Sequence, residues 1–164
     1  MSQTLSNVKL HIVFSTKNRM KYIEEGLVQK RLYAYMHTAC HNLGCTLLEV
    51  GGTEDHIHLL VNQSKNISIC ELVRTLKSSS SNAVKSIGTE YMDFAWQEGY
   101  GVFSVDESLE GKIRKYICTQ KGHHMQRSFE EEFLCLLKRY NVKYDDKELW
   151  DDSEELTTSL SSQC

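Results

Sequence analysis

Thr46-Leu47-Leu48-Glu49-Val50-Gly51-Gly52-Thr53-Glu54-Asp55-His56-Ile57-His58-Leu59-Leu60-Val61 is the stretch on which the fold turns. Thr46 to Val50 reads as one strand, stopped by Gly51-Gly52, and Asp55 to Val61 as the next, so 46–61 forms a hairpin. Alternate residues of a strand share a face. His56 and His58 therefore point one way, while Asp55, Ile57, Leu59 and Val61 turn the other way, into a core.

Upstream, residues 24–43 place Leu27, Leu32, Tyr35, Ala39 and Leu43 near helical spacing, with Gly44 as the stop. Before that helix, Val8 to Ser15 is rich in β-formers and predicts a first strand. Downstream, residues 67–88 form a second helix, with Ile69, Leu72, Val73, Leu76, Ala83, Val84 and Ile87 on its apolar side. Its middle, Lys77-Ser78-Ser79-Ser80-Ser81-Asn82, is polar, and four serines weaken the helix there. Tyr100 to Val105 is a fourth strand. The order strand, helix, strand, strand, helix, strand is the split βαβ, ferredoxin-like arrangement. The expected class is α+β: an antiparallel sheet with helices on one face. Two further helices, 107–122 and 128–140, follow.

The chain has 164 residues, 19 Lys+Arg, 22 Asp+Glu, 7 His, 6 Cys and no Pro. That length fits one domain of roughly 100–200 residues and a real core. The composition excludes a collagen-like, wholly disordered or membrane-spanning chain, and no apolar run approaches the ~18 residues of a span. Met1 to Ser6 lacks a basic flank and an apolar core, so no signal peptide and a cytoplasmic location are expected. The net charge of −3 is uneven. Residues 145–155 hold seven acids and one base, which leaves 15 acids against 18 bases in 1–144. A mildly basic domain over 1–144 permits a nucleic-acid partner, and 145–164 reads as an acidic, partly disordered tail. The cysteines, with no CxxC, read as free and mostly buried thiols.

Chemistry-bearing residues gather in a few places. His56 and His58 share a face at a spacing that suits two ligands of one metal ion; alone, they also fit two polar residues on a half-exposed strand. Tyr116 and Gln120 lie four apart on one helix face, with Lys112 a turn earlier. Alone, Tyr116 fits a rim residue with a wet hydroxyl. His37 and His41 are an i, i+4 pair without an evident fourth ligand, and His11 reads as a sheet-face or core residue. Lys17, Arg19 and Lys21 form a basic turn after the first strand. Arg74, Lys77 and Lys85, with Ser78 to Ser81, line a helix face that suits phosphate contacts or simply solvent. Trp96 and Tyr100 suit base stacking or core packing.

Taken together, these blocks resemble the single-tyrosine HUH transposases of small insertion sequences that move as single-stranded DNA, the IS200-like transposases. The resemblance runs through His11-Ile12-Val13-Phe14-Ser15-Thr16-Lys17-Asn18-Arg19, Gly52 to Val61, Leu72 to Lys77, Trp96 to Val105, Tyr116 to His124, and the Phe129 to Phe133 and Tyr144 to Trp150 regions. It implies His56 and His58 as metal ligands, Gln120 as the third, and Tyr116 as the nucleophile. It implies a magnesium or manganese ion, which would offset the charge of a phosphodiester. It also implies a 5′-phosphotyrosine that stores the bond energy for rejoining without ATP, hairpin DNA at the element ends as partner, a homodimer, and a mobile tyrosine helix hinged near 106–111 at Gly111. A phenol with a pKa near ~10 needs help to ionise; Lys112, Lys115, His123 and His124 are candidates, the last two also fitting a basic helix end. Alternatives are a domesticated relative that processes palindromes, an inert ferredoxin-like nucleic-acid-binding module, and a phosphodiesterase that activates water.

Overall fold

The computed structural model describes residues 3–120, 122 and 128–150. Four strands, β1 (Lys9–Ser15), β2 (Thr46–Gly52), β3 (His56–Asn62) and β4 (Gly101–Val105), form one antiparallel sheet in the order β2-β3-β1-β4. With α1 (Leu27–Asn42) after β1 and α2 (Ile69–Lys85) after β3, this is the ferredoxin-like topology expected from the strand order. β1 is an inner strand buried along its whole length, its polar residues Lys9, His11 and Ser15 included.

The two faces of the sheet do different work. Leu10, Ile12 and Phe14 of β1 and Ile57, Leu59 and Val61 of β3 meet Leu32 and Met36 of α1 and Leu72 and Leu76 of α2 in the main core. The opposite face carries a smaller cluster, in which Leu60 and Val105 pack against Ile113 and Ile117 of α3 (Glu110–Cys118). A pleat that alternates sides sends the histidines of β3 to this second face.

Local chemistry fixes the helix ends. The left-handed Gly44 ends α1, with Gly44 N–H donating to His41 and Cys45 N–H to Cys40, the reciprocal pair of a Schellman motif. Ser68 caps α2 by accepting from Glu71 N–H. The polar run expected to weaken α2 stays helical because its serines are occupied: Ser78 bonds Thr75 O, and buried Ser80 accepts the Trp96 indole N–H at 2.9 Å. Trp96 belongs to the core, stacked edge-on against Phe14 and Phe94.

The helix expected over 107–122 is divided. A 3-10 turn covers Glu107–Leu109, α3 covers Glu110–Cys118, and regular α geometry stops at Thr119 (φ −103°, ψ 18°). Thr119 Oγ1 donates to Lys115 O at 2.8 Å. His123 and His124 lie outside the described residues.

The chain separates into two compact units, Met1–Phe129 and Glu130–Cys164. The second contains all but the first residue of α4 (Phe129–Arg139) and the short α5 (Asp146–Leu149). Asn141, at φ 52°, closes α4 with a second Schellman pair, and the Phe133 and Trp150 rings sit 6.1 Å apart. Most of the expected acidic tail falls outside the described residues. Among the described residues no helix is long and apolar enough to cross a membrane. The five described cysteines are free thiols; Cys40 and Cys45 are buried, whereas Cys70, Cys118 and Cys135 are exposed. Burial pushes the Cys40 thiol up to about 12.

Candidate active site

His56 and His58 are fully buried on β3, with ring centroids 5.2 Å apart and planes at 77°. The Nδ1 atom of His56 lies 2.7 Å from Asp55 Oδ1 and 2.9 Å from Thr53 Oγ1, and Thr53 itself donates to Asp55 Oδ1 at 2.8 Å. A carboxylate only accepts, so His56 carries a proton on Nδ1, which in the neutral ring leaves Nε2 as the atom that can bind a metal. His58 Nδ1 is engaged 2.9 Å from Nε2 of His11, which comes from β1 and is also fully buried. Two imidazoles at neighbouring positions of one strand face, each held through Nδ1, fit the donor set of a divalent ion bound through Nε2.

Tyr116 reaches this face from α3. Its ring stands edge-on to His58, with centroids 5.8 Å apart at 88°, and edge-on to His11 at 6.2 Å. The helix can approach so closely because Gly51 of β2 lacks a side chain: a Cβ there would fall 2.2 Å from Ile117 O. Gln120 follows the break at Thr119 and is buried. Lys112 and Lys115 are exposed on α3.

Charged groups fasten α3 to the sheet. Lys9 Nζ, largely buried, pairs with Glu107 and, at 2.6 Å, with Glu110. Hydrogen bonds to these carboxylates hold the Lys9 ammonium above its usual value, and Lys9 in turn holds Glu107 below the ordinary carboxylate range. Arg114 donates to Leu48 O at 2.8 Å and lies 3.7 Å from Glu49. Asp106 accepts from Ser108 N–H and its hydroxyl, which keeps its carboxyl low. The segment expected to hinge near 106–111 is thus tied down at several points, and Gly111 lies inside α3.

The two expected basic clusters flank one loop, 95–99. Lys17 N–H donates to Ala95 O and Asn18 N–H to Gln97 Oε1, while Lys77 of α2 donates to the carbonyls of Gln97, Glu98 and Gly99. Lys17 and Lys21 are exposed, and Lys21 pairs with Glu54 at 3.3 Å. Asn18 and Arg19 both adopt positive φ, near 53° and 52°, so the basic turn is sharply wound, and Thr16 Oγ1 closes it onto Met20 O. Arg74 is exposed on α2. Lys77 is half-buried between the Phe14 and Tyr100 rings, so its ammonium is committed to the loop rather than projecting into solvent. His37 and His41 are exposed on α1.

His11 is the residue whose surroundings the sequence did not disclose. Strand alternation placed it on one face of β1, yet its meeting with His58 depends on the antiparallel register, in which His11 lies opposite Leu60 and His58 opposite Val13. The Asp55 and Thr53 contacts to His56 were legible only as neighbours in sequence.

Fold and site together define a ferredoxin-like α+β protein whose sheet presents a histidine pair to a tyrosine-bearing helix. The family model described as Transposase IS200 like matches residues 4–120, and the chain belongs to that family. No curated protein matches it. Among solved structures, a candidate transposase of Deinococcus radiodurans R1 is similar at 21% identity and TM-score 0.57, covering 73% of this chain and 95% of that one. A REP-associated tyrosine transposase bound to a REP hairpin is similar at 12% identity and TM-score 0.57, covering 76% of this chain and 74% of that one.

Proposed function

We propose that this transposase-family chain cuts and rejoins single-stranded DNA through a 5′-phosphotyrosine on Tyr116. The observation that carries the reading is the Tyr116 ring standing edge-on to His58, 5.8 Å between centroids, beside a pair of imidazoles with engaged Nδ1 atoms. His56, His58 and Gln120 would hold a magnesium or manganese ion, which when bound offsets negative charge on the phosphate oxygens. All three side chains are neutral donors, and hard oxygen ligands from DNA suit those metals.

The chemistry assigned to the chain is a displacement. The Tyr116 phenolate oxygen bonds to phosphorus, the bond from phosphorus to the 3′ oxygen breaks, and that oxygen leaves as a 3′-OH after taking a proton. Attack by another 3′-OH on the phosphotyrosine reverses the step and joins the strands, so no nucleotide cofactor is consumed. Lys17, Arg19, Lys21 and Arg74 would meet phosphates and position the strand without reading its sequence. Lys77 supports this surface from beneath, through the 95–99 loop. The hairpin bound by the REP-associated neighbour supports hairpin DNA as the substrate class, and the family resemblance supports a homodimer.

End-labelled single-stranded hairpins from the ends of the gene's own mobile element, incubated with protein and manganese, test the reading. The expected result is a covalent band that keeps the DNA 3′ of the cut, lost with EDTA and lost in Tyr116→Phe. Cleavage that persists in Tyr116→Phe overturns the tyrosine mechanism in favour of activated water. Shifted DNA without cleavage overturns it in favour of a binding module.

A further inference from the structure

His56 and His58 differ in what holds their Nδ1 atoms. The Asp55 carboxylate settles the proton of His56, because it has no proton to give. The partner of His58 is another imidazole, Nε2 of His11 at 2.9 Å, and such a pair shares one proton in either direction. A lone pair on His58 Nε2 requires the proton on His58 Nδ1. His11 must then accept at Nε2 and carry its own proton on Nδ1.

The packing suits that task. His11 is fully buried on the central strand, and its ring lies nearly coplanar with that of His58, centroids 5.1 Å apart and planes at 24°, the end-to-end arrangement of a ring-to-ring hydrogen bond. Phe103 lies 6.1 Å away on the β4 side. A buried imidazole costs free energy unless it is hydrogen-bonded, and an apolar side chain would fill a site beside Phe103 with less penalty. The contact to His58 gives the polar residue a use.

Resting on the reading that His58 ligates a metal, we propose that His11 is a positioning residue. It accepts from His58 Nδ1, selects the tautomer with its lone pair on Nε2, and fixes the plane of the ring. His11 acts through His58 and is itself neither ligand nor nucleophile. Outer partners of ligating histidines have this effect on metal affinity generally.

The test needs no DNA cleavage. Manganese binding to the full-length protein is followed by the EPR signal of free Mn(II), and hairpin binding in EDTA is measured beside it. His11→Leu is expected to weaken manganese binding about ten- to a hundredfold, with hairpin binding in EDTA unchanged. His11→Gln, whose amide oxygen reaches the place of Nε2, is expected to restore most of the loss. In nitrogen-15 spectra of the metal-free protein, His58 is expected to be protonated at Nδ1 in wild type and to become a tautomer mixture in His11→Leu. If His11→Leu does not fold, His11→Asn, polar but too short, takes its place with the same expectation. Wild-type manganese affinity in His11→Leu or His11→Asn overturns the proposal and leaves the metal reading standing. Equal losses in the Leu and Gln variants, with hairpin binding lost as well, mark simple packing and also overturn it. Wild type that binds no manganese, or His58→Ala that binds it as well as wild type, sinks the metal reading and the His11 role together.

Discussion

Lys77 directs its ammonium at three backbone carbonyls, 2.6–2.9 Å away, between two aromatic rings. Burial lowers its pKa to about 8 from the usual 10.5, against a smaller opposing pull from Glu98. The unfolded chain keeps this proton to higher pH than the folded one. Between about 8 and 10.5 the unfolded state therefore binds more protons, and the contribution of Lys77 to stability rises with pH through that window. One lysine is expected to titrate near 8 in NMR of the unmodified protein with carbon-13-labelled lysine side chains. The pH-dependent rise in urea midpoint is expected to be smaller in Lys77→Met. A flat difference between the two proteins from pH 7 to ~10.5 would refute the assignment. At the same scale, Tyr116→Phe is expected to lower cleavage by at least about a thousandfold, the loss of a nucleophile, with hairpin affinity kept. Gel assays of the two activities side by side check it. The roles of His56, His58, Tyr116 and Gln120 were suggested by residue type, spacing and family resemblance. The contact of His11 was not, because it forms across 47 residues of chain and one strand register.

α3 is the element on which the site depends, and three kinds of contact hold it: the Ile113 and Ile117 side chains, the Lys9 and Arg114 charges, and the bare backbone at Gly51. Gly51→Ala must push Ile117 O away from a Cβ placed at 2.2 Å. The expected cost is about 1–3 kcal/mol of stability, as for other overpacked sites. Cleavage is expected to fall about a hundredfold through misplaced Tyr116, with hairpin binding little changed. Urea melts and single-turnover cleavage measure the two. Lys9→Met removes the shared partner of Glu107 and Glu110, so amides of residues 110–118 are expected to exchange faster with deuterium. Unchanged exchange there would show that apolar packing alone seats the helix. In α2, Ser80→Ala would leave the buried Trp96 indole N–H without its acceptor, at an expected cost of about 1–3 kcal/mol by urea unfolding. Element order was legible from periodicity, and the end of α1 from Gly44; the Ser68 cap of α2 was not read, and the helix begins two residues later than expected. The break at Thr119 was not legible, since nothing in the spacing of residues 107–122 marks it.

For the molecule as a whole, the two faces of the sheet carry different residues. One face is given to the α1–α2 core, and the other to the histidines and the tyrosine helix. The basic turn 17–21 and Lys77 of α2 both bond loop 95–99, and Lys17, Lys21 and Arg74 are exposed. If these side chains meet phosphates, hairpin affinity falls with salt, and each of Lys17→Ala and Arg74→Ala flattens the log–log slope by about 0.7, the value for one single-strand contact. Lys77→Ala is expected to act differently, loosening the loop it binds. Fluorescence anisotropy titrations at several salt concentrations check both; equal slopes in Lys17→Ala, Arg74→Ala and wild type would remove those residues from the interface.

The sequence by itself determined the strand and helix order, and hence the ferredoxin-like topology. Alternation and helical period are local, and few topologies accommodate that order. It also determined that His56 and His58 share a face, because a two-residue period needs no tertiary information. Only the tertiary structure decided which strand lies beside them, that His11 meets His58, that α3 crosses β2 at a glycine, and that Lys77 turns inward. Each is a contact between segments far apart in sequence, whose register is set by the packing of the whole sheet and not by any one segment.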